Sequence, residues 1–207
     1  MNSCILITSH LNNDAKIKIA LDQLKFLKEN TNLPIIYVGN YVLPTSIQEL
    51  ADYSLCIKEN PTTISNRTLY WNGRQSMDYG YAHLHQQLLG ASLARAYKFE
   101  YLHHLNYDVI LEKEHLNQLI EVGNTGEFQY HKWGANGIST AKYSIKSSEL
   151  TLVLNTTLHY YYNENPPNLG GGFIAESFFK WAVKHTGLYE SLEDFSNIPH
   201  KLAVQSW

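Results

Sequence analysis

The tripeptide Asn106-Tyr107-Asp108 is the part of this sequence whose residue types point most directly to chemistry. It follows Leu102 and Leu105 in the run YLHHLNYDVIL (101–111), which the sequence predicts as one buried strand. Residues two apart on a strand share a face, so the Asn106 amide and the Asp108 carboxylate could address one ligand. These oxygen ligands suit Mg²⁺ or Mn²⁺, which take one or two protein groups and complete their shell with water and phosphate. A tight turn is the alternative, because Asn and Asp are common there.

Two further polar clusters follow predicted strands. Thr8-Ser9-His10, with Asn12, comes after the apolar run 4–7, and Gly39-Asn40 comes directly after LPIIYV (33–38). Ligands of open α/β sheets bind beyond the carboxyl ends of the strands. We therefore expect both clusters to meet Asn106 and Asp108 at one edge of a sheet.

Positive charge and imidazoles come from the middle of the chain. Residues 59–78 show no clear period and are predicted as a long functional loop. Its Arg67 and Arg74 could supply or replace the charge of a cation, and His83 and His85 just beyond it are candidates for the same crevice. A solvated loop cation or a capping histidine is the alternative explanation for each of these four residues.

The elements that must position these residues alternate between strand and helix. Strands are predicted at 4–9, 33–38, 54–57, 101–111, 128–133 and 138–145, and helices at 14–30, 79–97, 114–122, 147–158 and 173–185, with a short helix or turn at 47–53. This order indicates parallel βαβ units with helices on both faces of a mostly parallel central sheet. We expect one α/β domain over 1–207, with a regular half at 1–111 and an irregular, mixed half at 112–207.

Composition excludes several classes of protein. The chain has 207 residues, 44% of them hydrophobic, and a net charge of −3, which argues against disorder and against general nucleic-acid binding. No apolar run approaches the roughly 20 residues that span a bilayer, and no secretory signal is recognisable, so we expect a cytoplasmic protein. Cys4 and Cys56 are expected to be free thiols. The oligomeric state stays open.

The stretch GASLARAYKFEYLHHLNYDVIL (90–111) resembles the central segment of family 2-like glycosyltransferases with the GT-A fold. In that family a helix ending in alanines and a Glu-Tyr pair leads into an apolar strand that closes with an Asp-x-Asp metal motif. The matching residues are Ala94, Ala96, Glu100, Tyr101, Leu102, Leu105 and Asp108. Asn106 stands in place of the first aspartate, and Gly39 and Asn40 replace two aspartates that usually help to hold the nucleotide.

The resemblance implies a GT-A-like (Rossmann-like) fold and transfer of a sugar from a nucleotide diphosphate sugar to a glycan or other hydroxyl acceptor. It implies Mn²⁺ or Mg²⁺ as cofactor, with Asp108 and Asn106 as metal ligands. The residues predicted to contact the donor are Thr8, Ser9, Asn12, Gly39, Asn40, Arg74, Asn106 and Asp108.

An acceptor side is predicted in the second half of the chain. The glycines Gly170–Gly172 would let the backbone approach a ligand closely, and Glu176 follows in the first turn of a predicted helix. Similar glycine-then-acid segments line the acceptor side of GT-A enzymes, which makes Glu176 the candidate catalytic base, and Trp133 a candidate acceptor contact. Alternatively, Glu176 only complements the helix dipole.

Two other functions stay open at this point. A sugar-nucleotide or glycan-binding module that has lost turnover would fit the amides at Asn40 and Asn106. A nucleotidyltransferase shares the need for phosphate and metal, although the Gly-rich basic loop that such enzymes usually carry near the first strand is not visible.

Overall fold

The computed structural model describes residues 2–40, 43–58, 68–71, 74–77, 80–124, 128–133, 137–162, 174–188, 193–194 and 201–202. The strands are β1 (Ser3–Ser9), β2 (Ile35–Asn40), β3 (Tyr53–Ile57), β4 (Thr68–Trp71), β5 (Arg74–Met77), β6 (Tyr101–Asn106), β7 (Val109–Ile110), β8 (Gln129–Trp133), β9 (Gly137–Lys146), β10 (Glu193–Asp194) and β11 (Lys201–Leu202). The helices are α1 (Asp14–Asn30), α2 (Thr45–Leu50), α3 (Gly80–Ala96), α4 (Lys113–Gly123), α5 (Ser147–Tyr162) and α6 (Ile174–His185).

Seven of these strands form one sheet, in the order β10-β8-β9-β6-β1-β2-β3. Neighbouring strands are parallel except in the β6–β9 and β8–β9 pairs, so β9 runs against the other six described strands of this sheet. The predicted mostly parallel α/β sheet is confirmed. Because β2, β1 and β6 are parallel neighbours, their carboxyl ends lie side by side.

Helices cover both faces of the sheet, as predicted. Every residue of β1 is buried, and its side chains alternate between two apolar clusters. Leu6 belongs to the cluster that α3, α5 and α6 complete, whereas Ile5 and Ile7 belong to the cluster that α1, α2 and α4 complete. A strand covered on both faces reads as a continuous apolar run, which explains the sequence CILI.

Helix α1 begins where the sequence predicts, and its cap explains why. The Asn13 side chain, in an extended backbone, accepts a hydrogen bond from the Lys16 amide at 3.0 Å and satisfies one free N–H of the first turn. Apolar residues then recur at helical spacing and are buried against the sheet. This cap puts the first turn of α1 just beyond the end of β1.

Three predicted boundaries are wrong. The predicted strand 101–111 breaks at Tyr107-Asp108, and β7 pairs with β11 outside the main sheet. Asn106 and Asp108 therefore do not share a strand face, and the turn that was the alternative explanation is what forms. Local alternation missed the break because apolar residues continue on both sides of it.

The other two errors concern turn residues. Gly39 and Asn40 were expected to stop the second strand, but they are its last two residues and pair with β3. Within the predicted loop 59–78, β4 and β5 form an antiparallel hairpin. The pair Asn72-Gly73 between them is the usual sequence signal for such a hairpin.

Two further features concern the cysteines and the helices of the described residues. Neither Cys4 nor Cys56 forms a disulfide. Across the described ranges, no helix is both long enough and apolar enough to cross a membrane.

Candidate functional site

Polar side chains collect where β1, β2 and β6 end, and we call Thr8, Ser9, His10, Asn40, Asn106 and Asp108 the polar edge. Thr8 Oγ1 donates a hydrogen bond to Asn106 Oδ1 at 3.0 Å, which joins the ends of β1 and β6. Gln86 of α3 donates to the Ser9 carbonyl at 2.7 Å and to Asn40 Oδ1, which joins the ends of β1 and β2. The structure thus brings the three predicted clusters together.

The Thr8 hydroxyl also orders a buried imidazole. It lies 2.9 Å from His104 Nε2. Because its proton is committed to Asn106, the hydroxyl can only accept from His104, so Nε2 carries the proton of that ring. Burial holds the pKa of His104 well below its usual value, so the ring is neutral at pH 7.

The predicted donor residues divide into a floor and a rim. Thr8, Ser9 and Asn40 are at most 3% exposed and form the floor. Gly39 is also buried, and a Cβ there would lie 3.0 Å from Leu43 Cδ1 and 3.3 Å from Ser9 Oγ, so a side chain would disturb the floor. Asn106 and Asp108 are partly exposed, and Asn12 is exposed. A ligand would meet the rim first.

Asp108 has the properties expected of a ligand-binding carboxylate. Its Oδ1 is buried, and within the described residues it has no hydrogen-bond partner. Burial raises the pKa of Asp108, and a backbone hydrogen bond and the charge of Lys16 oppose the rise. An unpartnered buried oxygen is costly in a folded protein, and a bound cation or donor would remove that cost.

Lys16 is close enough to the polar edge for its charge to act on two residues there, although nothing in the sequence pattern singled it out. Its positive charge acts on both Asp108 and His10, and together with burial it lowers the pKa of His10. Lys16 lies in the first turn of α1, where the helix dipole is also positive. A basic residue in the first turn of the helix after strand 1 is the signal that could have found it.

The donor set fits a divalent cation only in part. In the described portion of the chain no group of three or more His, Cys, Asp or Glu residues could hold a metal ion. Asp108 and Asn106 offer one carboxylate and one amide oxygen. Mg²⁺ and Mn²⁺ are often held by so few protein groups when substrate phosphates supply further oxygens. The residues present therefore fit an ion that binds together with a diphosphate.

Glu176 lies in the first turn of α6, as expected, and reaches the same edge of the sheet. Its Oε1 accepts a hydrogen bond from Thr140 Oγ1 at 3.0 Å. Because β9 is antiparallel to β6 and Lys142 pairs with Leu105, Thr140 lies just beyond the carboxyl end of β6. The Thr140 carbonyl in turn accepts from His83 Nε2 at 3.0 Å and from Gln87 Nε2 at 3.1 Å.

His83 and His85 differ in their contacts and in their burial. His83 bonds the Thr140 carbonyl, and its ring centre lies 5.9 Å from that of His104. Burial lowers the pKa of His83 to about 4, so it is a neutral donor at pH 7. His85 is partly buried one turn from the start of α3, and burial lowers its pKa as well.

Several predicted site residues lie partly or wholly outside the described part of the chain. Gly170, Gly171, Gly172 and Arg67 are outside the described residues. Arg74 is the first residue of β5 and Trp133 the last of β8, and the description of both stops at the backbone.

No protein-family model and no curated protein sequence matches this chain significantly. Among solved structures it is similar to a provisionally assigned nucleotide-diphospho-sugar transferase from Desulfovibrio desulfuricans G20. That match has a TM-score of 0.55 at 8% identity and covers 94% of this chain and 79% of the other. A second match is to a glycosyltransferase involved in glycosylation of the major capsid of PBCV-1, with a TM-score of 0.49, 15% identity, and 92% and 81% coverage. The first match establishes that this chain has a GT-A-like α/β fold.

Proposed function

We propose that this chain is a glycosyltransferase that moves a sugar from a nucleotide diphosphate sugar to an acceptor hydroxyl. The observation that carries the proposal is Asp108, whose Oδ1 is buried and has no hydrogen-bond partner among the described residues, and whose carboxylate is acted on by the positive charge of Lys16. Both residues stand at the carboxyl edge of a sheet with a GT-A-like fold, which is where open α/β sheets bind ligands.

The chemistry requires positive charge near the leaving group. When the glycosidic bond breaks, the nucleoside diphosphate gains negative charge, and fixed positive groups stabilise the transition state. Lys16 and the first turn of α1 supply such charge. Asp108 and Asn106 would hold Mn²⁺ or Mg²⁺, which when bound neutralises diphosphate oxygens as a Lewis acid. The buried floor keeps the rim residues in place.

Glu176 is the proposed base for an inverting transfer. Its carboxylate would accept the proton of the acceptor hydroxyl as that oxygen attacks the sugar. Thr140 orients the carboxylate through the bond to Oε1, and the bonds from α3 to the Thr140 carbonyl fix that residue. Arg74 on the donor side, and Trp133 and Gly170–Gly172 on the acceptor side, remain proposed contacts.

The test is a thermal-shift series with UDP, GDP, ADP, CDP and the corresponding nucleotide sugars, each with and without Mn²⁺. A ligand at 100 times its Kd stabilises the fold by about 2.7 kcal/mol, which raises Tm by about 5–11 °C in a chain of this size. Mn²⁺ alone should give little shift, because the protein offers only two ligands. Asp108→Asn should abolish the rise in Tm that a nucleotide and Mn²⁺ produce together, whereas Glu121→Gln on the exposed side of α4 should preserve it. If no nucleoside diphosphate shifts the Tm under either condition, the proposal is wrong.

A binding module without turnover is the second candidate. Asn106 and Asn40 provide amides at positions where the glycosyltransferase family that this sequence resembles has carboxylates, and amides hold a cation less tightly. Donor hydrolysis separates the two candidates. A transferase should slowly release free sugar from its donor and lose this activity in Glu176→Gln, whereas a module should bind the donor and leave it intact.

A further inference from the structure

The turn that carries Asp108 is held by a side chain from a different element, Gln23 of α1. Gln23 Nε2 donates to the Asn106 carbonyl and to the Val109 carbonyl, at 2.7 Å in each case. These two carbonyls stand on either side of Tyr107-Asp108. The Tyr107 amide also donates to the Thr8 carbonyl at 3.1 Å. The turn is thus fixed at both ends and tied to the end of β1.

The orientation of the Gln23 amide follows from its partners. Both partners are carbonyl oxygens, which only accept, so the NH₂ group must face them and both of its protons are used. Gln23 is only 8% exposed, so water cannot easily replace these bonds. Its neighbours on α1 at helical spacing, Ala20 three residues before it and Leu27 four residues after it, are apolar and buried, which makes the buried amide an exception on this face.

We propose that Gln23 is a positioning residue that holds the Tyr107-Asp108 turn and thereby sets the affinity with which Asp108 binds a divalent cation together with a nucleoside diphosphate. The effect on ligand affinity rests on the proposed function, whereas the holding of the turn does not. Gln23 touches no ligand in this scheme and acts only through the turn. Without it, the carbonyls of Asn106 and Val109 lose their donor, and the Asp108 carboxylate loses its fixed direction.

The experiment compares Gln23→Met, which is similar in size but has no donor, with Gln23→Glu, which is nearly isosteric and carries acceptors where the donors were. The control is Asn30→Ala, which removes a comparable bond from the same helix, Asn30 Nδ2 to the Phe26 carbonyl at 2.8 Å, at the end far from the turn. Two quantities are measured: hydrogen exchange of single amides by NMR, and the Kd for UDP or the best diphosphate of the panel with Mn²⁺.

We expect both Gln23 variants to accelerate exchange of the Tyr107 amide at least tenfold while the Ile5 amide, which donates to the Pro34 carbonyl at the other end of β1, stays protected. The Kd should rise about tenfold, equal to about 1.4 kcal/mol. Because Gln23 acts through Asp108, adding Gln23→Met to Asp108→Asn should cause no further loss of affinity.

Unchanged Tyr107 exchange in both variants would overturn the proposal, and so would losses of affinity that add in the double variant, because they would show an effect independent of Asp108. If the unmodified protein binds no nucleoside diphosphate, the proposed function fails and the link to affinity fails with it. Tyr107 exchange still decides whether Gln23 holds the turn.

Discussion

The Thr8 hydroxyl joins the end of β1 to both Asn106 and His104, so Thr8→Val is a direct test of the geometry of the polar edge. Valine has nearly the shape of threonine and fits the same strand position. It removes the bond of 3.0 Å to Asn106 Oδ1 and the bond of 2.9 Å from His104 Nε2. Thr8 and His104 are both fully buried, so water cannot compensate.

The magnitude follows from these two losses. A lost hydrogen bond costs about 1 kcal/mol, and a buried donor left without a partner costs about 1–3 kcal/mol more. Thr8→Val should therefore lower the free energy of unfolding by about 2–4 kcal/mol. For a chain of this length, about 2–4 °C is lost per kcal/mol, so the Tm should fall by about 4–16 °C.

The assay is urea unfolding at pH 7.5, with Thr8→Ser as the matched control. Serine keeps both hydrogen bonds and loses one methyl group, which should cost only about 1 kcal/mol. The reasoning predicts that valine is clearly the less stable of the two variants. A valine variant as stable as the serine variant would refute the assigned hydrogen bonds and the His104 tautomer derived from them.

Three further predictions concern charge and packing. Burial lowers the pKa of His103 to about 4 in the folded state, below its value of 6.5 in the unfolded chain. The stability contributed by neutral His103 is therefore complete above pH 6.5 and is lost as the pH falls toward 4, by up to about 1.4 kcal/mol per pH unit. His103→Asn, which can still bond Ser144, should reduce this slope in urea unfolding at pH 5–6.5, and an unchanged slope would contradict the assignment. Gly90→Ala would place a Cβ 2.2 Å and 2.7 Å from the two methyl carbons of Leu6. The overpacking should cost about 1–3 kcal/mol, more than the roughly 1 kcal/mol gained because alanine favours a helix over glycine. The Tm should therefore fall, and it should fall less when Leu6→Val has removed the crowding methyl carbons. Lys16→Gln should raise the pKa of both His10 and Asp108, since its charge lowers both. NMR titration of His10 checks this, and a pKa that stays constant would mean that the charge of Lys16 does not act on the site.

The sequence predicts the elements well where their signals are local. Helix α1 was predicted with its observed bounds, because apolar residues recur at helical spacing along the whole segment. The mostly parallel sheet followed from the alternation of strands and helices. The polar clusters at Thr8, Asn40 and Asn106 were recognised because polar residues interrupt apolar runs.

The same local signals failed where a distant residue decides the outcome. The apolar run through Val109 and Ile110 reads as a continuing strand, yet the chain turns after Asn106. Gln23, 83 residues away, binds the Asn106 carbonyl at this point. Lys16 escaped notice for a similar reason, since on its own helix it looks like an ordinary surface cation.

The order of residue types along the chain thus determined which segments are strands and helices and which strand ends are polar. Tertiary structure alone decided that Asp108 stands on a turn, that the charge of Lys16 acts on it and that Gln86 and Thr8 join the ends of three strands. The physical reason is the distance along the chain over which each kind of interaction acts. Helix caps and side-chain periodicity act over a few residues, whereas the hydrogen bonds and charges of this site join residues separated by dozens of positions and exist only once the sheet has brought them together.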